Sequence, residues 1–181
     1  MLAEKRLISK IRNGNSRAYR KLYEANVNSL FRFMLQFSKD KDQVSDWVQR
    51  AFISAYNNIG SFSEKSKFST WLFSIAINEM KTDQRKLSTK NIFRLDENIE
   101  NAIAEDRIDE FEWKQEMKHL LSKLDENKRL IFILFEIEGY NHNEIAEMLD
   151  ISVSNSRTTL SRTKQILKKN WLNKRDSYGN A

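Results

Sequence analysis

Residues 138–164 read Glu138-Gly139-Tyr140-Asn141-His142-Asn143-Glu144-Ile145-Ala146-Glu147-Met148-Leu149-Asp150-Ile151-Ser152-Val153-Ser154-Asn155-Ser156-Arg157-Thr158-Thr159-Leu160-Ser161-Arg162-Thr163-Lys164. Ile145, Ala146 and Leu149 share one helical face, and Ala146 is small where two helices must cross closely. Asp150-Ile151-Ser152 reads as a short turn, with Ile151 as an apolar plug and Ser152 as the cap of the next helix. Beyond it Val153, Ser156, Leu160, Thr163 and Leu167 fall on one face, which is weakened by the polar Ser156 and Thr163. The opposite face carries Ser154, Asn155, Arg157, Thr158, Ser161, Arg162 and Gln165. Arginine and asparagine suit guanine and adenine edges in the major groove, and hydroxyls suit phosphates. The pattern is a helix-turn-helix with a cationic reading face; the plainer alternative is a solvated face on an ordinary amphipathic helix.

Composition narrows the rest. The chain has 181 residues, with 31 Lys+Arg against 25 Asp+Glu, a formal charge of +6 and a pI near 9.4. That balance fits a nucleic-acid partner without demanding one. Cysteine is absent, which excludes disulfides and thiolate metal sites. The two histidines, His119 and His142, have no metal-ligand spacing and read as surface residues. With no proline and four glycines, strand-bounding turns are scarce and an all-α protein is expected. No signal peptide or membrane-spanning run is evident, so the expected location is the cytoplasm, with no membrane insertion.

The chain divides into two small helical domains joined by an acidic linker. Residues 1–87 carry successive apolar stripes: Leu7, Ile8 and Ile11; Tyr19, Leu22 and Tyr23; Leu30, Phe31, Met34 and Leu35; Val44, Trp47, Val48, Ala51 and Phe52; Phe68, Trp71, Leu72, Ile75 and Ala76. Residues 39–42 and 60–67 interrupt them. The second break displays Phe62 among small and polar residues. Its ring reads either as a plug in the core or as a platform for a base taken out of the stack. Residues 88–110 are acidic and poor in large apolar side chains, the linker signature. Residues 111–181 hold a second core, with the apolar run 130–137 expected as a buried central helix, the helix-turn-helix, and a polar tail from 171 that is expected to fray. No nucleophile with an attendant base, phosphate-binding glycine loop or paired acidic motif appears, so neither a catalytic residue nor a cofactor is expected.

Two separated segments resemble one family. Asp46-Trp47-Val48-Gln49-Arg50-Ala51-Phe52, and Phe68-Ser69-Thr70-Trp71-Leu72-Phe73-Ser74-Ile75-Ala76-Ile77-Asn78 followed by Asp83 and Arg85, resemble region 2 of bacterial sigma factors of the extracytoplasmic-function group. Residues 138–152 resemble the family's region 4, and the acidic linker lies where the family has its connector. The resemblance implies an alternative sigma factor whose partners are core RNA polymerase and promoter DNA, with an anti-sigma factor as a further implied partner. On this reading the first domain docks on the polymerase and opens the −10 element without ATP, while the second reads the −35 element.

Carried over by position, Asp46, Gln49 and Phe52 are the implied polymerase contacts. Phe62, Ser66, Lys67 and Asn78 are the implied −10 residues, which favours the base-platform reading of Phe62. Lys67, Lys81, Arg85 and Lys86 can neutralise nearby phosphates. Ser154, Asn155, Arg157, Thr158, Ser161 and Arg162 are the implied −35 residues. The chain departs from the family pattern at Arg50, usually acidic; Asp125, usually proline; Asp150, usually glycine; Asn155-Ser156, usually threonine and an apolar residue; and Thr159, usually arginine. Two rival readings remain, a helix-turn-helix regulator acting without polymerase and a helical adaptor that binds no DNA.

Overall fold

The computed structural model describes the backbone of residues 2–90, 117 and 119–178, and the side chains of residues 3–86, 117 and 119–172. All regular structure among them is helical. They pack as two units, divided between residues 102 and 103. The expected linker begins at residue 88, but helix runs to Lys90; its remaining residues, 91–110, lie outside the described ones.

Among the described residues the first unit has four α-helices: α1 (Leu2–Arg12), α2 (Ser16–Met34), α3 (Lys41–Asn57) and α4 (Phe68–Lys90). Local chemistry sets their starts. After a turn that puts Gly14 at φ 80°, Asn15 caps α2 by accepting the Ala18 N–H at 3.0 Å. Residues 39–42, which read as a break in periodicity, contain the cap of α3: Asp40 accepts the N–H groups of Asp42 and Gln43 at 2.9 and 3.1 Å. Each such cap stabilises its helix by about 1 kcal/mol.

The core of this unit is aromatic and aliphatic, with Ile8, Leu30, Phe33, Val44, Trp47, Phe68, Leu72, Ala76 and Met80 all buried. On α4 the stripe is wider than its period implied: Phe73 and Ile77 are buried, while the expected core residues Trp71 and Ile75 are only partly so. Helices α1, α2 and α3 all pack against neighbours in the bundle, and α4, in contact with both α2 and α3, has to be apolar over more than one stripe.

In the second unit, helical residues 119–122 precede α5 (Glu126–Phe132), which passes into a π-helical turn (Ile133–Ile137), followed by α6 (His142–Leu149) and α7 (Val153–Tyr178). Asp125, where the family usually has proline, caps α5 by accepting the Lys128 N–H at 2.9 Å. Asn141 and Glu144 form a reciprocal capping box at the start of α6. Two expectations are corrected. The run 130–137 is not buried all round: Leu130, Ile131, Ile133 and Leu134 are buried, but the π turn carries Ile137 out to solvent. The tail from 171 does not begin there, because α7 continues to Tyr178 and Trp171 packs on Leu120, Leu121, Leu124 and Leu167.

Candidate nucleic-acid interface

The turn between α6 and α7 works without glycine. Asp150 takes the left-handed conformation (φ 53°, ψ 51°), which aspartate tolerates better than most residues. The Ile151 N–H then donates to Ala146 O at 3.0 Å, and Ser152 Oγ accepts the Asn155 N–H at 3.1 Å. The cap expected of Ser152 is therefore present.

The polar residues that seemed to weaken the inner face of α7 are buried and bonded. Ser156 and Thr163 are fully buried. Ser156 Oγ lies 2.9 Å from His142 Nδ1, and the Thr163 hydroxyl donates to Thr159 O at 2.7 Å. His142, expected on the surface, is instead half-buried and stacked on Phe135 at 4.5 Å. Burial, then the charges of Arg157 and Lys164, hold its pKa below the ordinary histidine value. Lys164 reaches back to Glu136 at 2.6 Å. With its underside pinned in this way, α7 presents Ser154, Asn155, Arg157, Thr158, Ser161 and Arg162 to solvent. These positions recur at spacings of three and four, which makes a continuous stripe. Asn155 is partly committed, since its Oδ1 accepts the Thr159 hydroxyl at 3.0 Å.

In the first unit the structure brings together some expected residues and separates others. Phe62 is 3% exposed; it stacks on Trp71 at 5.0 Å and 27° and meets Phe68 edge-on at 6.0 Å. Its faces are covered, so the base-platform expectation is corrected to the core plug. Apolar contact with two neighbouring rings outweighs display of a bare aromatic to water. Ser66 is half-buried, Lys67 exposed and Asn78 exposed. Asn78 follows Trp71 by seven residues, about two helical turns, so it shares the side of α4 on which the loop packs, about 10 Å further along the axis.

On α3, Asp46 and Gln49 are exposed, but Phe52 is 3% exposed and packs beneath Tyr23 at 4.6 Å. The expectation of Phe52 as a surface contact is corrected, because its ring completes the buried stripe. Two features went unread in the sequence. Arg50 pairs with Asp46 one turn earlier on α3 (3.1 Å) and joins α3 to α4 through Glu79 (3.3 Å) and Asp83 (2.5 Å), and the Trp47 indole donates to the same Asp83 oxygen at 2.8 Å. The Arg50 hydrogen bond, followed by that of Trp47, holds the Asp83 carboxyl below its usual range. Beside Gln49 an aromatic groove of about 600 Å³ runs between α2 and α3. Tyr23, Ile53 and Tyr56 stand exposed along it. Ile53 and Tyr56 lie off the buried stripe of α3, and that misplaced apolarity was the available signal.

The model of sigma-70 region 2 matches residues 22–89, and that of sigma-70 region 4 matches residues 114–167. The ECF RNA polymerase sigma factor SigM of Bacillus subtilis (strain 168) is 30% identical over 151 residues, covering 81% of this chain and 91% of its own. The ECF RNA polymerase sigma-E factor of Escherichia coli (strain K12) is 26% identical over 178 residues, covering 92% and 93%. Among solved structures, CnrH in complex with the cytosolic domain of CnrY is similar with a TM-score of 0.69 and 26% identity, over 92% of this chain and 96% of that one.

Proposed function

This chain belongs to the extracytoplasmic-function group of the sigma-70 family, as an alternative sigma factor that binds core RNA polymerase and directs promoter-specific initiation, and from that premise we propose how its residues divide the work. Residues 1–87 dock on the polymerase and engage the −10 element, residues 88–110 connect, and residues 111–181 read the −35 element. The protein acts in the cytoplasm, by binding rather than by catalysis; no helix among the described residues is long and apolar enough to cross a membrane.

The observation that carries the proposal is the exposed stripe on α7 above a buried, hydrogen-bonded underside. Such a helix enters the major groove as a rigid body, with Arg157 and Arg162 placed for guanine edges or phosphates and Asn155, Ser154, Thr158 and Ser161 for shorter contacts. At the −10 element, Asn78 offers an amide that both donates and accepts to a base edge. Ser66 and Lys67 in the loop, with Lys81, Arg85 and Lys86 on α4, hold the strand. Unstacking a base costs a few kcal/mol; with Phe62 buried, these polar contacts are the groups that offset it.

Asp46 and Gln49, beside the exposed rim of the aromatic groove, form the polymerase contact, while Phe52 supports it from below. CnrH was solved with the cytosolic domain of CnrY, and an anti-sigma factor is included among this chain's partners. The test is a binding titration with core RNA polymerase. Asp46→Lys combined with Gln49→Lys weakens binding while leaving helicity intact. Unchanged affinity places the docking surface elsewhere.

A further inference from the structure

We propose that helix α1 is a positioning element for the −10 loop, with Arg12 as its positioning residue. The proposal rests on the assignment of loop 62–67 and Asn78 to the −10 element. Three donors of the Arg12 guanidinium reach into the segment that leads to α4. Nη1 pairs with Glu64 Oε1 at 2.7 Å, Nη2 donates to Phe62 O at 2.5 Å, and Nε donates to Ile59 O at 3.4 Å. At the far end of the loop, Glu4 Oε1 accepts the N–H of Phe68, the first residue of α4, at 3.0 Å. Lys67, the residue before it, has no side-chain acceptor with which to cap that helix. A carboxylate 64 residues earlier does so instead.

Both grips come from one helix whose own position is fixed. Ile8 is fully buried and Ile11 nearly so. Glu4, Ile8, Ile11 and Arg12 follow one another at spacings that keep them on one side of α1. The buried stripe thus sets where the acid and the guanidinium stand. Between the two grips the backbone turns through Glu64 at φ 57°, a conformation that residues other than glycine adopt only when their surroundings hold it. Arg12 holds that residue by its carboxylate. The segment matching sigma-70 region 2 begins at residue 22, so α1 lies outside it.

The consequence is that the loop bearing Lys65, Ser66 and Lys67 is ordered before DNA arrives, and the cost of ordering it is not charged to promoter opening. Arg12 supplies a fork that matches one carboxylate and two carbonyls together, which lysine, a point charge, cannot reproduce.

The test uses the full chain with core polymerase on a duplex promoter, scored by permanganate reactivity of the −10 thymines and by amide hydrogen exchange. Arg12→Ala is expected to lower open complexes roughly tenfold, the size of a lost charged hydrogen bond. Amides of residues 62–68 exchange faster, with α2 and α3 unchanged and core affinity kept. A template already unpaired at −10 restores much of the loss. Glu64→Gln, which keeps the two carbonyl contacts, gives a smaller effect, and Glu4→Ala exposes mainly the Phe68 amide. Normal opening by Arg12→Ala, unchanged exchange in the loop, or exchange rising equally in α2 and α3 overturns the proposal. If the unmodified holoenzyme opens no promoter, it is the underlying functional assignment that fails, and the loop exchange still reports whether α1 holds the loop.

Discussion

His142 on α6 and Ser156 on α7 meet at 2.9 Å across the turn of the helix-turn-helix, and that contact joins the two helices through a side chain that titrates. Ser156→Ala removes a buried partner and is expected to destabilise the second unit by about 1–2 kcal/mol in urea denaturation. A cost near zero would mean that the imidazole finds another partner.

The same contact carries a pH dependence. Burial, Arg157 and Lys164 lower the His142 pKa in the folded chain, so the unfolded chain binds the proton first as pH falls. Stability is therefore full above the unfolded value of about 6.5 and declines as pH drops from there through the lower folded value. Denaturation between pH 8 and 5 is expected to show that decline, and His142→Gln to reduce it.

Asp83 receives both the Trp47 indole and Arg50. Asp83→Ala leaves a buried indole N–H unpaired and is expected to cost about 1–3 kcal/mol. Arg50→Glu restores the family's usual charge sign but sets it beside Asp46, Glu79 and Asp83, and is expected to destabilise more than Arg50→Ala. Urea midpoints of the three variants check the order.

Phe62 and Asn78 separate by kind of effect. Phe62→Ala opens a cavity beside Trp71 and is expected to cost about 3–5 kcal/mol of stability. Asn78→Ala, at an exposed position, is expected to leave stability alone and change which base is tolerated at one −10 position. A Phe62→Ala chain that melts like the unmodified one yet opens promoters poorly would return the ring to the DNA.

The helical fold was legible because each buried stripe leaves a period in the sequence: Val44, Trp47, Val48 and Ala51 read as one face and pack as one. The exposed side of α7 was legible for the same reason. What escaped was set by partners distant in sequence. Nothing local says that Phe62 finds Trp71, that Arg12 reaches residue 64, or that Ser156 is bonded by His142 rather than left as a flaw in an apolar face. Phe52 sat on both the buried stripe and the implied docking set, and burial decided between them. The π turn at Ile133–Ile137 was hidden by a run apolar enough to suit any helix register.

On α7, Arg157→Ala is expected to weaken binding to the −35 element by about 1–3 kcal/mol if the guanidinium pairs with a guanine. If it grips phosphate instead, all sequences weaken alike and the salt slope falls by about one unit.

Promoter choice conferred on core polymerase through both units is read out by run-off transcription on genomic fragments. Core enzyme with this chain is expected to start at discrete sites that share two upstream elements; Arg157→Ala combined with Arg162→Ala should lose the sites that depend on the upstream one. No specific starts, or the same starts from core enzyme alone, would contradict the account.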